Sequence, residues 1–171
     1  MIVDSTALPE QVVVDVVQSA FQSAGQRCSA LRVLYLQDDV ADRVIEILKG
    51  AMNELHIGDP RELGTDVGPV IDEDARKGLL EHIEKLKAEN RLVAETPMAA
   101  EHTQEGTFVA PVAFTIDSID ALTREQFGPI LHIVRYKSSQ LDKVINDING
   151  RNYGLTFGVH SRNESFAAEV A

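Results

Sequence analysis

The sequence predicts an α/β fold with a mostly parallel sheet and flanking helices, and three observations carry that prediction. Strand-type apolar runs alternate along the chain with stretches of helical period. Proline, glycine and aspartate stand where such helices would begin and end. Hydrophobic residues make up 44% of the 171 positions, enough to bury a core in one domain or in a large piece of one.

The elements follow in order. "MIVDSTA" opens with an apolar triplet of strand type. In "LPEQVVVDVVQSAFQSAG", Val13, Val16, Val17, Ala20, Phe21 and Ala24 recur at helical spacing, with Pro9 suited to a first turn and Gly25 to a left-handed stop. A helix over 9–24 is predicted. "LRVLYLQ" (31–37) favours a strand, and "DDVADRVIEILKGAMNEL" offers Asp38 or Asp39 as cap to a helix whose apolar face is Val40, Val44, Ile47, Leu48 and Ala51. The segment 56–71, "HIGDPRELGTDVGPVI", loses periodicity to Pro60, Pro69 and its glycines. Asp72 then caps the charged helix "EDARKGLLEHIEKLKAEN". "RLVAE", "GTFVAPVAFTI" and "ILHIVRY" read as strands, "SSQLDKVINDING" as a helix, and "GLTFGVHS" as a strand before a last helical start in "NESFAAEVA". The two ends look cut from something larger, so 1–171 is expected to be one truncated domain.

Composition excludes several functions. Acidic side chains outnumber basic ones by 27 to 16, a net charge of -11, which works against counterion-release binding to nucleic acid by this segment. No apolar run approaches the roughly 20 residues of a membrane span. A lone cysteine forms no internal disulfide and no signal region opens the sequence, so the expected compartment is the reducing cytoplasm. Histidines 56, 82, 102, 132 and 160 are scattered, without paired zinc spacing, and no metal is expected.

That cysteine, Cys28, lies in "GQRCSA", a small polar connection between a helix end and a strand. Backbone N–H groups in such a turn stay free to meet a substrate oxygen, and Arg27 is a candidate to favour the thiolate, although its side chain has solvent as an alternative. A small buried core residue is the other role open to Cys28.

The spacing F-x3-G-Q-x-C-x-A, formed by Phe21, Gly25, Gln26, Cys28 and Ala30, resembles the nucleophile signature of the aldehyde dehydrogenase superfamily. "GDPRELGTDVGPVI", the E-x-F-G-P of "REQFGPILHIVRY", and "NYGLTFGVHSRN" resemble further segments of that family in the same order, covering nearly the whole chain. The wording of "MIVDSTALPEQVV", "GQRCSALRVLYLQ" and "GTFVAPVAF" is similar to the pyrroline-5-carboxylate dehydrogenase part of bacterial bifunctional proline utilisation A proteins.

The resemblance implies NAD-dependent oxidation of glutamate semialdehyde to glutamate. Cys28 is then the nucleophile, attacking the aldehyde carbon to give a thiohemiacetal and later a thioester. Glu125 matches the glutamate that bonds the nicotinamide ribose, Phe127 the aromatic against the cofactor ring, and Ser29 a residue that helps hold the substrate carboxylate. As plain alternatives, Glu125 is a surface acid, Phe127 a core side chain and Ser29 a turn hydroxyl. The implied fold is a partial catalytic, or nucleophile, domain without the NAD-binding domain, which becomes its partner in the parent chain, a homo-oligomer. The family's general base lies in an E-x-GG-type segment upstream of the residues matched here, so the isolated chain is expected to be inactive. Rival readings are a fragment of another semialdehyde dehydrogenase, a Cys-His thiol hydrolase or acyltransferase, and a folded fragment that catalyses nothing.

Overall fold

The computed structural model describes residues 1–100 and 106–171; His102, one of the scattered histidines, lies outside them. In chain order the elements are β1 (Ile2–Val3), α1 (Pro9–Phe21), β2 (Val33–Gln37), α2 (Asp38–Asn53), α3 (Glu73–Ala88), β3 (Leu92–Glu95), β4 (Val112–Thr115), β5 (Ile130–Tyr136), α4 (Leu141–Asn149), β6 (Val159–His160) and α5 (Glu164–Val170). Among the described residues the strands form one six-stranded sheet in the order β3-β4-β5-β2-β1-β6. Every neighbouring pair is parallel except β3 with β4. The predicted α/β class with a mostly parallel sheet is the class observed.

The central strands explain the parallel arrangement. β2 and β5 are buried along nearly their whole length, with Leu34, Leu36, Ile130, Leu131 and Ile133 fully enclosed, as strands covered by helices on both faces must be. The path from β1 through α1 to β2 steps one way along the sheet, whereas the path from β5 through α4 to β6 steps the other way. Right-handed crossovers therefore set α1 and α4 on opposite faces. α1 and α2 pack on each other, and both feed the core cluster, Val13 and Val16 from α1 and Val44 and Leu48 from α2. On the other face, α3 reaches the sheet through His82, which hydrogen-bonds His132 on β5.

Several boundaries differ from expectation, each for a local reason. α1 ends at Phe21 rather than Ala24, because Ser23, Ala24 and Gly25 all take left-handed backbone angles, φ 56°, 51° and 63°. Neither Asp38 nor Asp39 caps α2: β2 runs directly into the helix, Gln37 is the N-cap residue, and both aspartates lie in the first turn, where they still complement the helix's positive end. Asp72 does cap α3, its carboxylate accepting from Ala75 N–H at 2.8 Å. The long apolar run at 106–116 yields only β4, since Pro111 brings no N–H to a ladder. Likewise 154–161 yields only the short edge strand β6, and Tyr153, Leu155 and Phe157 before it are exposed. Within 138–150 a 3-10 turn precedes α4. Among the described residues no helix is long and apolar enough to cross a membrane.

Candidate active site

Because β1, β2, β5 and β6 run parallel, the loops entering them gather at one edge of the sheet, the edge of the strands' amino ends. Cys28 and Ser29 precede β2, Glu125 precedes β5, and residues 153–158 precede β6. Together they line a cleft of about 400 Å³, which Met1, Tyr35 and Arg124 also border. Open α/β sheets usually bind ligands outside the carboxyl ends of their strands. Here the chemistry-bearing residues gather at the opposite edge.

Cys28 is exposed, at the tip of a turn closed by the Ala30 N–H donating to the Arg27 carbonyl at 3.0 Å. This rules out the role of buried core residue. Neither the Cys28 nor the Ser29 N–H has an acceptor among the described residues, so two donors flank the thiol. Arg27 is not the cation that serves it: its guanidinium turns back to the Gln18 carbonyl, 3.1 Å away. The positive charge in electrostatic reach of the sulfur belongs to Arg32.

Three of the sequence segments meet here, and their side chains explain why. Gln26 reaches across to 56–71, donating to the Pro69 carbonyl at 3.3 Å while its Oε1 accepts from Ile71 N–H at 2.7 Å. The connecting segment is thereby tied to the cysteine turn. On the other side, Arg32 donates from Nε to Glu125 Oε1 at 3.0 Å and stacks over the Phe127 ring, its guanidinium carbon 4.9 Å from the centroid. Glu125 is therefore an ion-paired, largely covered carboxylate rather than a free surface acid, and its Oε2 has no partner among the described residues. Phe127, 47% exposed, is not a core side chain.

Sequence reasoning missed Arg32, whose signal was a single charge inside the apolar run "LRVLYLQ". It also missed Tyr35, whose buried hydroxyl has no partner among the described residues and whose pKa burial pushes up to about 12. The pair His82 and His132 was invisible at 50 residues' separation. Their Nε2 atoms lie 2.9 Å apart, and His132 Nδ1 lies 3.1 Å from the Arg32 carbonyl oxygen. A carbonyl only accepts, so His132 carries its proton on Nδ1, and His82 donates to its Nε2. Both ring nitrogens of His132 are thus engaged away from Cys28. No hydrogen bond joins Cys28 to a histidine among the described residues. Nor does any group of three or more potential metal ligands gather among them.

The chain is 51% identical to the bifunctional protein PutA of Klebsiella aerogenes over 174 aligned residues, which include 99% of this chain and 13% of that protein. Among solved structures, a bifunctional proline utilization A (PutA) protein superposes with a TM-score of 0.92 at 51% identity, over 99% of this chain and 17% of its own. A 1-pyrroline-5-carboxylate dehydrogenase from Thermus with bound NAD superposes at 0.86 with 33% identity, over 98% of this chain and 32% of its own. The chain thus spans a small part of each of these relatives. With the sequence pattern of the Aldehyde dehydrogenase family matching residues 1–171, the chain belongs to that family.

Proposed function

We propose that these 171 residues are the nucleophile-bearing part of an NAD-dependent dehydrogenase that oxidises glutamate semialdehyde, the hydrolysed form of pyrroline-5-carboxylate, to glutamate in proline catabolism. The observation that carries the proposal is the single cleft in which an exposed Cys28, free N–H groups and the Glu125 carboxylate converge. The similarity to PutA and to a pyrroline-5-carboxylate dehydrogenase supports the substrate.

The steps follow from the residues present. The Cys28 thiolate attacks the aldehyde carbon, and the N–H of Cys28 donates to the oxyanion of the thiohemiacetal. Ser29, beside it, donates its hydroxyl to the substrate carboxylate. NAD, when bound, supplies the hydride acceptor. The residues fit that group on one side only: Glu125, whose Oε2 has no partner among the described residues, would hold a ribose hydroxyl, and the exposed Phe127 ring would pack on the nicotinamide. Loss of hydride from the thiohemiacetal carbon leaves a thioester on Cys28, which water cleaves with the help of a base from outside these residues. The remaining cofactor contacts likewise fall to a cofactor domain outside them, and the isolated segment is accordingly inactive.

The test is Cys28→Ala in a protein that carries both the cofactor domain and this segment. Production of NADH from glutamate semialdehyde is expected to vanish while the circular dichroism spectrum is retained. Near-normal turnover would show that another group is the nucleophile.

A further inference from the structure

Four hydrogen bonds and one ring contact converge on the guanidinium of Arg32. Nε donates to Glu125 Oε1 at 3.0 Å, Nη1 to the Gly25 carbonyl at 2.5 Å and the Gly128 carbonyl at 3.4 Å, and Nη2 to the Arg27 carbonyl at 2.9 Å. Its carbon sits over the Phe127 ring. Gly25 and Arg27 belong to the cysteine turn, whereas Glu125, Phe127 and Gly128 belong to the loop before β5. No other side chain among the described residues donates to both.

We infer that Arg32 is a positioning residue for the hydride step, clamping the turn that carries Cys28 to the loop that carries Glu125 and Phe127 so that nucleophile and cofactor contacts keep one mutual geometry. The inference rests on the reading of Cys28 and Glu125 given above. A planar fork suits the task because it addresses acceptors in several directions at once, including a carboxylate and three carbonyls, while keeping a flat face for an aromatic ring. Lysine offers a single ammonium that reaches only part of this set. Burial disfavours the guanidinium charge and the Glu125 carboxylate offsets that cost, so an unpaired cation would be poorly tolerated at this position. The carboxylate is left with Oε2 directed to its own ligand. Because a shift of about 1 Å in a reacting group costs roughly a hundredfold in rate, a loosened clamp acts on the chemical step.

The experiment uses the full-length protein containing this segment, with glutamate semialdehyde and NAD, and follows the first turnover of Arg32→Lys and Arg32→Gln by rapid mixing. Burst amplitude counts active sites, and burst rate reports geometry within each. The expected result is a burst rate reduced about tenfold to a hundredfold and a raised KM for NAD, with KM for the aldehyde within about twofold of the parent. A purely structural role lowers amplitude and leaves the rate per site unchanged; that pattern in either variant overturns the inference. If Arg32→Gln does not fold, Arg32→Lys alone decides, and a lysine variant too unstable to give any burst also overturns the inference, because Arg32 is then a folding residue. Cys28→Ala in parallel separates the two claims. A full burst there removes the reading of the reaction itself, whereas no burst there beside a parental burst rate in Arg32→Lys removes only the clamp.

Discussion

Gly25 and Gly128 meet backbone to backbone: a Cβ built on Gly25 would lie 2.6 Å from the carbonyl carbon of Gly128 and 2.9 Å from the Ala20 carbonyl oxygen. One glycine comes from the cysteine turn and the other from the loop carrying Glu125, so the two loops approach as closely as bare backbone permits. Gly128 is hemmed in behind as well, since a Cβ there would meet Leu79 Cδ1 at 2.5 Å.

Gly25→Ala is therefore expected to be severely destabilising. The left-handed φ of 63° alone costs about 1 kcal/mol for an alanine, and the clash with rigid backbone raises the total to about 2 kcal/mol or more. Urea unfolding midpoints measure the loss. A variant within about 0.5 kcal/mol of the parent would mean that the loops part without cost.

The histidine pair predicts a pH dependence of stability. Burial pushes the pKa of His132, only 1% exposed, from its ordinary 6.5 down to about 4; the hydrogen bond to the Arg32 carbonyl opposes this, and the charges of His82 and Arg32 add to it. The pKa of His82 is lowered in the same direction, first by burial and then by Lys85 and Arg124, against Glu89. Both folded-state values lie below the unfolded ones, so the unfolded chain binds more protons between pH 4 and 6.5. Stability is thus complete above pH 6.5 and falls as the pH drops toward 4, by on the order of 3 kcal/mol for His132. Denaturant titrations across that range, compared with His132→Gln, provide the check: the variant should show a shallower slope, and equal slopes would dissociate the pair from acid sensitivity.

Glu125→Gln keeps an oxygen for Arg32 Nε but removes the carboxylate from the cleft. In the full-length protein the hydride step is expected to slow by about tenfold to a hundredfold, because a ribose hydroxyl loses a charged acceptor. Single-turnover kinetics that match the parent enzyme would remove Glu125 from the cofactor site.

Local patterns carried the fold well where structure is local. The strand "ILHIVRY" coincides with β5, and "LRVLYLQ" contains β2. Apolar content overreached at 106–111 and 154–158: Pro111 brings no N–H to a ladder, and β6 at the sheet's edge is only two residues long. The left-handed turn at 23–25 was half legible: Gly25 announces it, but the exposed Ser23 and the buried Ala24 adopt it against ordinary preference. In the cleft, Cys28, Ser29 and Glu125 were found through motif spacing, and the structure places all three together. Arg32 escaped notice because its value lies in partners such as Glu125, 93 residues away in sequence. The coupling of His82 to His132 is equally invisible to any periodicity.

The direction of the strands has an electrostatic consequence. α1, α2, α4 and α5 each begin where a parallel strand ends, so their positive poles, equivalent to about half a charge apiece, lie at the sheet edge remote from Cys28. The edge that holds Cys28 offers a phosphate-bearing ligand no helix amino terminus from these elements, only side-chain cations such as Arg32 and Arg124. On the function proposed above, these helices lend no attraction to the pyrophosphate of a dinucleotide, so the segment's expected contribution is reactivity rather than capture.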